Sequence, residues 1–200
     1  MSLTHLSLFS GVGGLDIAAH WAGFETVAFC EWKDYQNQVL RKRFPNAAPF
    51  KDIHDLTKEA FYNATGLSTV TVISGGFPCQ PFSVAGKRGG ALDDRYLWPE
   101  MLRVVKELRP TWVLGENVAG LLSMVQPSKE IEMESREHSA LGSENDRILE
   151  QARQRGTLCE IIESLEQAGY SVQTFAIPAC AVKAPHERMR VFIVARTNSC

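Results

Sequence analysis

Residues 69–83, TVTVISGGFPCQPFS, constrain this chain more than any other stretch. Val70 to Ile73 is an apolar, β-branched run without alternation, the pattern of a strand covered on both faces. Ser74, Gly75 and Gly76 are expected to end it. Pro78 and Pro81 then bracket Cys79 and Gln80. With φ fixed and an N–H missing at both prolines, neither a helix interior nor a sheet ladder continues there. Strands covered on both faces belong to parallel sheets flanked by helices, and ligands of such sheets sit beyond the carboxyl ends of the strands. Cys79 therefore stands where a nucleophile is expected, although a single cysteine is more often a small, inert, buried residue.

The beginning of the chain follows the same plan. Residues 5–10 (HLSLFS) read as a short strand, Gly11 to Gly14 as a glycine turn, and Leu15 to Trp21 as a helix with Leu15, Ala18, Ala19 and Ala22 on one side. Strand, glycine turn and helix open a doubly wound α/β domain, where the backbone approaches a ligand and a helix N-terminus favours an anion. Standing alone, FSGVGG is equally a plain tight turn. A second strand, Glu25 to Cys30, ends at Glu31-Trp32. Glu31 lies 20 residues beyond Gly11, where an acidic side chain commonly accepts from ribose hydroxyls, and Trp32 is placed to stack on an adenine ring. A surface Glu and a core Trp are the ordinary alternatives. Asp34 is expected to cap a helix whose apolar face is Tyr35, Val39, Leu40 and Phe44, stopped by Pro45. A short strand around Pro49-Phe50 leads to Asp52-Ile53, and Thr57 caps a helix over 57–64.

Beyond Cys79, residues 83–96 lack any period and are rich in Gly and charge, the composition of a mobile loop or lid; Lys87, Arg88 and Arg95 suit phosphate contacts. Leu97 to Leu108 is the next helix, with Pro99 in its first turn. Thr111 to Gly115 is a buried strand delivering Glu116-Asn117-Val118. At the end of the strand after the nucleophile strand, Glu116 is well placed as an acid. Residues 125–147 are polar and patternless, as expected of a surface insertion. Leu158, Ile161, Ile162, Leu165 and Ala168 then recur at helical spacing with Gly169 as C-cap. Strands at Val172–Ile177 and Arg190–Ala195 follow. His186, Arg188 and Arg190 alternate between them and share one face of an extended segment.

Composition excludes some classes of function. Two hundred residues, 44% of them hydrophobic, suit one domain with a full core. No apolar run reaches membrane length and the start lacks a signal-peptide core, so a cytoplasmic protein is expected. The five cysteines, at 30, 79, 159, 180 and 200, form no metal-ligand spacing; reduced thiols and no metal are expected. A net charge of −2 gives no broad basic face, so phosphate contacts are local or come from another module.

In chain order, FSGVGG, EW, DI, GGFPCQPFS, DDRYLWPE, ENV and HERMR resemble the motif series of the DNA (cytosine-5) methyltransferases, from about residue 5 to residue 196. The resemblance implies a Rossmann-like S-adenosylmethionine-dependent methyltransferase fold: α/β, a mostly parallel doubly wound sheet with a terminal antiparallel strand, and residues 1–200 as one catalytic domain. It also implies methyl transfer from S-adenosylmethionine to C5 of a flipped-out cytosine in double-stranded DNA, of the kind used in bacterial or phage modification and restriction-modification. Cys79 would be the thiolate that adds to C6, and Glu116 the group on N3 and N4. Arg188, with Arg190 beside it, would hold O2 and that carboxylate. Gln80, Ser83, Lys87, Arg88 and Arg95 would contact the nucleic acid. Phe9, Ser10, Gly11, Val12, Gly14 and Leu15 would hold the methionine half of the cofactor, and Glu31 its ribose. Trp32, Asp52, Ile53, Pro78 and Leu97 would surround the adenine.

The chain departs from the family at His186, where many members carry Gln, and in the insertion at 125–147. Family members also continue into a target-recognition region and a closing helix. That part, on this chain or on a second one, is an expected partner. Without it, a protein that binds cofactor or nucleic acid without activity is the alternative, and an RNA cytosine methyltransferase or a cysteine hydrolase stands further off.

Overall fold

The computed structural model describes residues 3–78, 96–123 and 156–198. Strands and helices alternate along them: β1 (Leu3–Leu8), α1 (Gly14–Trp21), β2 (Phe24–Cys30), α2 (Asp34–Arg43), β3 (Ala48–Phe50), α3 (Lys58–Thr65), β4 (Val72–Gly75), α4 (Trp98–Leu108), β5 (Trp112–Val118), α5 (Thr157–Gln167), β6 (Tyr170–Pro178) and β7 (Met189–Thr197). A 3-10 turn at Ile53–Asp55 separates β3 from α3. The strands form one sheet in the order β3-β2-β1-β4-β5-β7-β6. The neighbours from β3 to β5 are all parallel, while β7 runs antiparallel to both β5 and β6. The expected terminal antiparallel strand is thus last in the chain but lies inside the sheet. Its connection from β6 is too short for the helical crossover that a parallel pair requires.

The absence of alternation in the strands has the expected cause. Leu6, Ser7 and Leu8 in β1 are all fully buried, as are Ile73 and nearly all of Ser74 in β4, so both strands are covered on both faces. On α4, Met101, Val104, Val105 and Leu108 present one buried stripe at helical spacing. Ile161 and Leu165 of α5 join the same core. Among the described residues no helix is long and apolar enough to cross a membrane.

Several boundaries differ from the sequence expectation, each for a local reason. β4 runs from Val72 to Gly75 rather than from residue 70 to 73. Thr4 and Thr71 exchange backbone N–H to side-chain Oγ1 bonds at 3.1 and 3.0 Å where a ladder would otherwise continue. Gly75 stays in the strand, paired with Leu8 and Gly115, and is packed so closely that a Cβ there would meet Met101 Sδ at 3.1 Å and the Leu8 carbonyl at 3.3 Å. Asp34 does not cap α2; Lys33 occupies the cap position without a side-chain bond, and Asp34 pairs instead with Lys51 Nζ at 2.8 Å. Asn37 and Leu40 are the buried residues of α2, while Tyr35 is 71% exposed. In α1 the buried side chain is Asp16, and Ala18 and Ala22 face outward. Thr57 does cap α3, accepting from Ala60 N at 3.1 Å. The last turn of α5 is capped by Ala168, and Gly169 follows it at φ 90°. Residues 125–147 lie outside the described part.

Candidate active site

Register decides which residues meet at the carboxyl edge of the sheet. Leu8 pairs with both Cys30 and Gly75, Cys30 with Phe50, and Gly75 with Gly115. The ends of β3, β2, β1, β4 and β5 therefore form one row. Asp52, Glu31-Trp32, Phe9-Ser10, Gly76-Phe77-Pro78 and Glu116 follow along it. Between β1 and β4 the chain departs in opposite directions, the switch point where doubly wound sheets bind ligands.

The half of the row from β1 to β3 is built around Glu31. β1 gives way to Phe9 at φ 53°, a left-handed value that costs a residue with a Cβ about 1 kcal/mol or more. The turn is then fixed by Ser10 N donating to the Cys30 carbonyl at 3.2 Å and Gly13 N to the Ser10 carbonyl at 2.9 Å. Glu31 Oε2 accepts from Gly11 N at 2.7 Å, and Oε1 from Lys33 N at 2.9 Å. The ordinary alternatives for this pair are reversed: Glu31 is 8% exposed and Trp32 66%. Each carboxylate oxygen can accept twice, which leaves one lone pair per oxygen, the number that two ribose hydroxyls use. Asn37 Nδ2 donates to the Glu31 carbonyl and holds the corner. Asp52 Oδ1 accepts from His54 N at 2.9 Å and pairs with His54 Nδ1 at 2.7 Å. These bonds hold the Asp52 carboxyl below its usual range and leave Oδ2 for an amine. Ile53 is buried beside it, while Val12, Gly14 and Pro78 are exposed and Leu15 and Leu97 half-buried. A carboxylate for a diol, a second one for an amine and an open indole face fit an adenosine with a polar tail.

Two buried groups beneath this edge were not singled out from the sequence. Asp16 Oδ2 accepts from Ser7 Oγ at 2.9 Å, and Ser7 Oγ in turn accepts from Ser10 Oγ at 2.8 Å. Asp16 Oδ1 is buried without a hydrogen-bond partner, and burial pushes the carboxyl up to about 6. His5 bridges three strands, with Nδ1 on Thr26 Oγ1 at 2.9 Å and Nε2 on Ser74 Oγ at 2.7 Å. Burial pushes it down to about 4, so the bridge is neutral. An Asp in a first helical turn ordinarily reads as a solvated group favoured by the helix dipole, and neither residue sits in a local pattern that reveals its partners.

The β4–β5–β7 half carries an ion pair. Arg190 Nε lies 2.7 Å from Glu116 Oε1, both side chains about one-quarter exposed. Val118 opposes Arg190 and Glu116 opposes Phe192, so the pair is a diagonal contact on one sheet face. β5 runs through to Val118, placing Glu116 within the strand rather than after it. A Cβ on Gly76 would stand 3.1 Å from Glu116 Oε2, close enough to press on this carboxylate. On the opposite face, buried Asn117 donates from Nδ2 to the Phe77 carbonyl at 3.0 Å and accepts from Val118 N at 2.8 Å. The Phe77 ring packs on Trp98 with centroids 5.0 Å apart. The segment leading to Cys79 therefore starts from a point fixed beside Glu116. Asn117→Ala strands the Phe77 carbonyl and the Val118 amide. It is expected to cost about 1–3 kcal/mol in urea unfolding.

His186 and Arg188 precede β7, so strand alternation does not place them; both are exposed, and it is Arg190 that meets the carboxylate. Cys79, Gln80, Ser83, Lys87, Arg88 and Arg95 lie outside the described residues. Cys30 is a buried thiol pushed up to about 12, chiefly by burial, and is inert at neutral pH. Among the described residues no cluster of His, Cys, Asp or Glu could hold a metal ion.

The family model described as C-5 cytosine-specific DNA methylase matches residues 3–135 and 133–200. The chain belongs to that family. Among relatives of this methylase chain, it is 34% identical to the type II methyltransferase M.PspPI of Psychrobacter sp. over 195 residues, covering 96% of this chain and 39% of that one. Against M.AquIA of Picosynechococcus sp. the identity is 33% over 193 residues, covering 94% of this chain and 70% of that one. The chain thus spans about two-fifths of the first relative and more than two-thirds of the second. Among solved structures, a mutant form of Spodoptera frugiperda DNMT2 superposes with a TM-score of 0.66 at 24% identity, covering 99% of this chain and 51% of that one. At that identity the likeness speaks for the fold.

Proposed function

We propose that this methylase chain transfers a methyl group from S-adenosylmethionine to C5 of a cytosine in DNA, through a covalent bond to Cys79. The observation that carries the reading is the Glu116–Arg190 pair at 2.7 Å, held beside Gly76 at the root of the segment leading to Cys79. C5 of cytosine is a poor nucleophile, and covalent catalysis replaces one difficult step with easier ones. The Cys79 thiolate donates an electron pair to C6 and the C5–C6 π electrons move into the ring. Glu116, oriented by Arg190, hydrogen-bonds N3 and N4 and passes a proton to N3 as this charge develops. C5, now enamine-like, forms the new carbon–carbon bond. S-adenosylmethionine, held by the residues named below, would supply that methyl from its sulfonium, whose sulfur would keep the electron pair of the bond it gives up. A base then takes the C5 proton, the released electrons expel the Cys79 sulfur, and N3 returns its proton. A thiol of ordinary acidity, near ~8.5, ionises more readily beside a cation.

Phe9, Ser10, Gly11, Val12, Gly14 and Leu15 hold the methionine half in this reading and Glu31 the ribose. Trp32, Asp52, Ile53, Pro78 and Leu97 hold the adenine. Inside a duplex C6 is stacked, so the cytosine must swing out, at a cost of a few kcal/mol or so. In this reading Gln80, Ser83, Lys87, Arg88 and Arg95 contribute contacts to the DNA, and Arg188 joins Arg190 at the base. The net charge of −2 leaves most phosphate contacts, and the reading of the target sequence, to a further region on this chain or a second one. Modification in a bacterial or phage setting, in the cytoplasm, is consistent with the type II relatives.

The test is trapping on a duplex carrying 5-fluorocytosine, whose fluorine a base cannot remove. With S-adenosylmethionine and the complete or reconstituted protein, a stable protein–DNA adduct is expected, and Cys79→Ser should abolish it. An adduct that forms equally well in the Ser variant, or none at all, refutes the mechanism.

A further inference from the structure

Arg103 lies outside the motifs that carry the family resemblance, yet it joins three elements behind the proposed adenine site. Its Nη2 donates to the Ile53 carbonyl at 2.7 Å and its Nη1 to the Leu56 carbonyl at 3.2 Å. Nε meets Glu100 Oε2 at 2.7 Å and Nη1 meets Glu107 Oε1 at 2.8 Å, one turn before and one turn after it on the same face of α4. The other oxygen of Glu107 accepts from Lys58 N at 2.9 Å, at the start of α3. The Arg103 side chain is 29% exposed, and the two carboxylates fix its planar fork where it meets the carbonyls. The Ile53–Asp55 turn it grips is a single 3-10 turn with internal bonds of 3.2 Å, too short to hold its own shape firmly. The same α4 begins at Leu97-Trp98, and Trp98 packs on Phe77.

We infer that Arg103, braced by Glu100 and Glu107, is a positioning residue for the adenine end of the cofactor site, locking the Asp52–Leu56 turn to the helix that also fixes Leu97 and Phe77. The inference deepens the proposed cofactor reading and rests on it. Binding of the adenine ring then depends on a guanidinium that does not touch it. Lys at this position keeps the charge, but its compact ammonium cannot reproduce a fork shared by two carbonyls and two carboxylates.

Calorimetric titration of the full chain with S-adenosylhomocysteine and with adenosine, for the parent, Arg103→Lys and Arg103→Met, tests it. Arg103→Met is expected to weaken both ligands about tenfold and Arg103→Lys by less, with the Asp55 and Leu56 amides exchanging hydrogen faster in the same order. A parent that binds both ligands and variants that bind them equally well overturn the clamp and leave the cofactor reading standing. A lowered unfolding midpoint with unchanged affinity and unchanged exchange at that turn marks Arg103 as part of the scaffold only, and overturns it as well. A parent that binds neither ligand overturns the cofactor reading and the clamp with it.

Discussion

Glu116→Gln is expected to slow methyl transfer by about 10²–10⁴-fold while leaving the fold and cofactor affinity close to the parent's. Gln keeps the volume beside Gly76 and still offers Arg190 Nε an acceptor, so the diagonal contact between β5 and β7 survives. What it loses is the proton that the proposed mechanism has Glu116 pass to N3. Arg190→Met probes the other partner. It leaves the carboxylate free to rotate away from the base, so the rate should fall again. The pair itself is about one-quarter exposed, and ion pairs of this kind contribute roughly 0–1 kcal/mol. A rate loss of several kcal/mol set against a stability change below about 1 kcal/mol separates a chemical role from a scaffolding one. Single-turnover transfer of labelled methyl, read alongside urea unfolding, makes the comparison. A Glu116→Gln protein that transfers within a factor of about ten of the parent, less than a general acid contributes, removes Glu116 from the mechanism.

The parallel half of the sheet was legible because strands covered on both faces are written as unbroken apolar runs, and β1 and β4 are both of that kind. Their exact limits were not. β4 starts late because Thr71 is paired with Thr4, 67 positions away, and a contact of that span leaves no local mark. The site divides in the same way. Glu31 and Trp32 could be found from their spacing to Gly11, and the structure supplies the reason, since Glu31 accepts the amide of Gly11 itself. Position at a strand end pointed to Glu116, and the family resemblance to a pair of arginines beside it. Only the antiparallel register, which sets Val118 against Arg190, shows which arginine meets the carboxylate. Asn117 stands inside a motif, but its role depends on the Phe77 carbonyl across the sheet. Asp16 and His5 were invisible because their partners lie on other elements and come together only when the chain folds. For Arg103 the helix spacing to Glu100 and Glu107 is local, but the carbonyls of Ile53 and Leu56 that it grips are not.

Asp16→Asn is expected to stabilise the fold at pH 7 by about 2–3 kcal/mol and to lose that advantage below pH 4. Burial raises the Asp16 carboxyl from 3.8 to about 6, against the hydrogen bond from Ser7, which acts the other way. Between those values the folded state still holds a proton that the unfolded chain has released. Asp16 therefore favours folding below pH 4, and this is lost as the pH rises through about 6; at about 1.4 kcal/mol per pH unit the loss is on the order of 3 kcal/mol. His5 acts in the opposite sense. Burial lowers it from 6.5 to about 4, so the unfolded chain takes up the proton first, and the contribution of His5 is present above 6.5 and lost as the pH falls through about 4. In the parent the two trends offset each other. With Asn at position 16 the His5 trend stands alone, and the variant should lose about 2 kcal/mol more than the parent between pH 6.5 and pH 4. Asn still accepts from Ser7 Oγ, so the Ser10–Ser7 chain is kept. Urea unfolding of both proteins across this range reads the difference directly, and parallel curves would show that Asp16 is not buried as an isolated carboxyl.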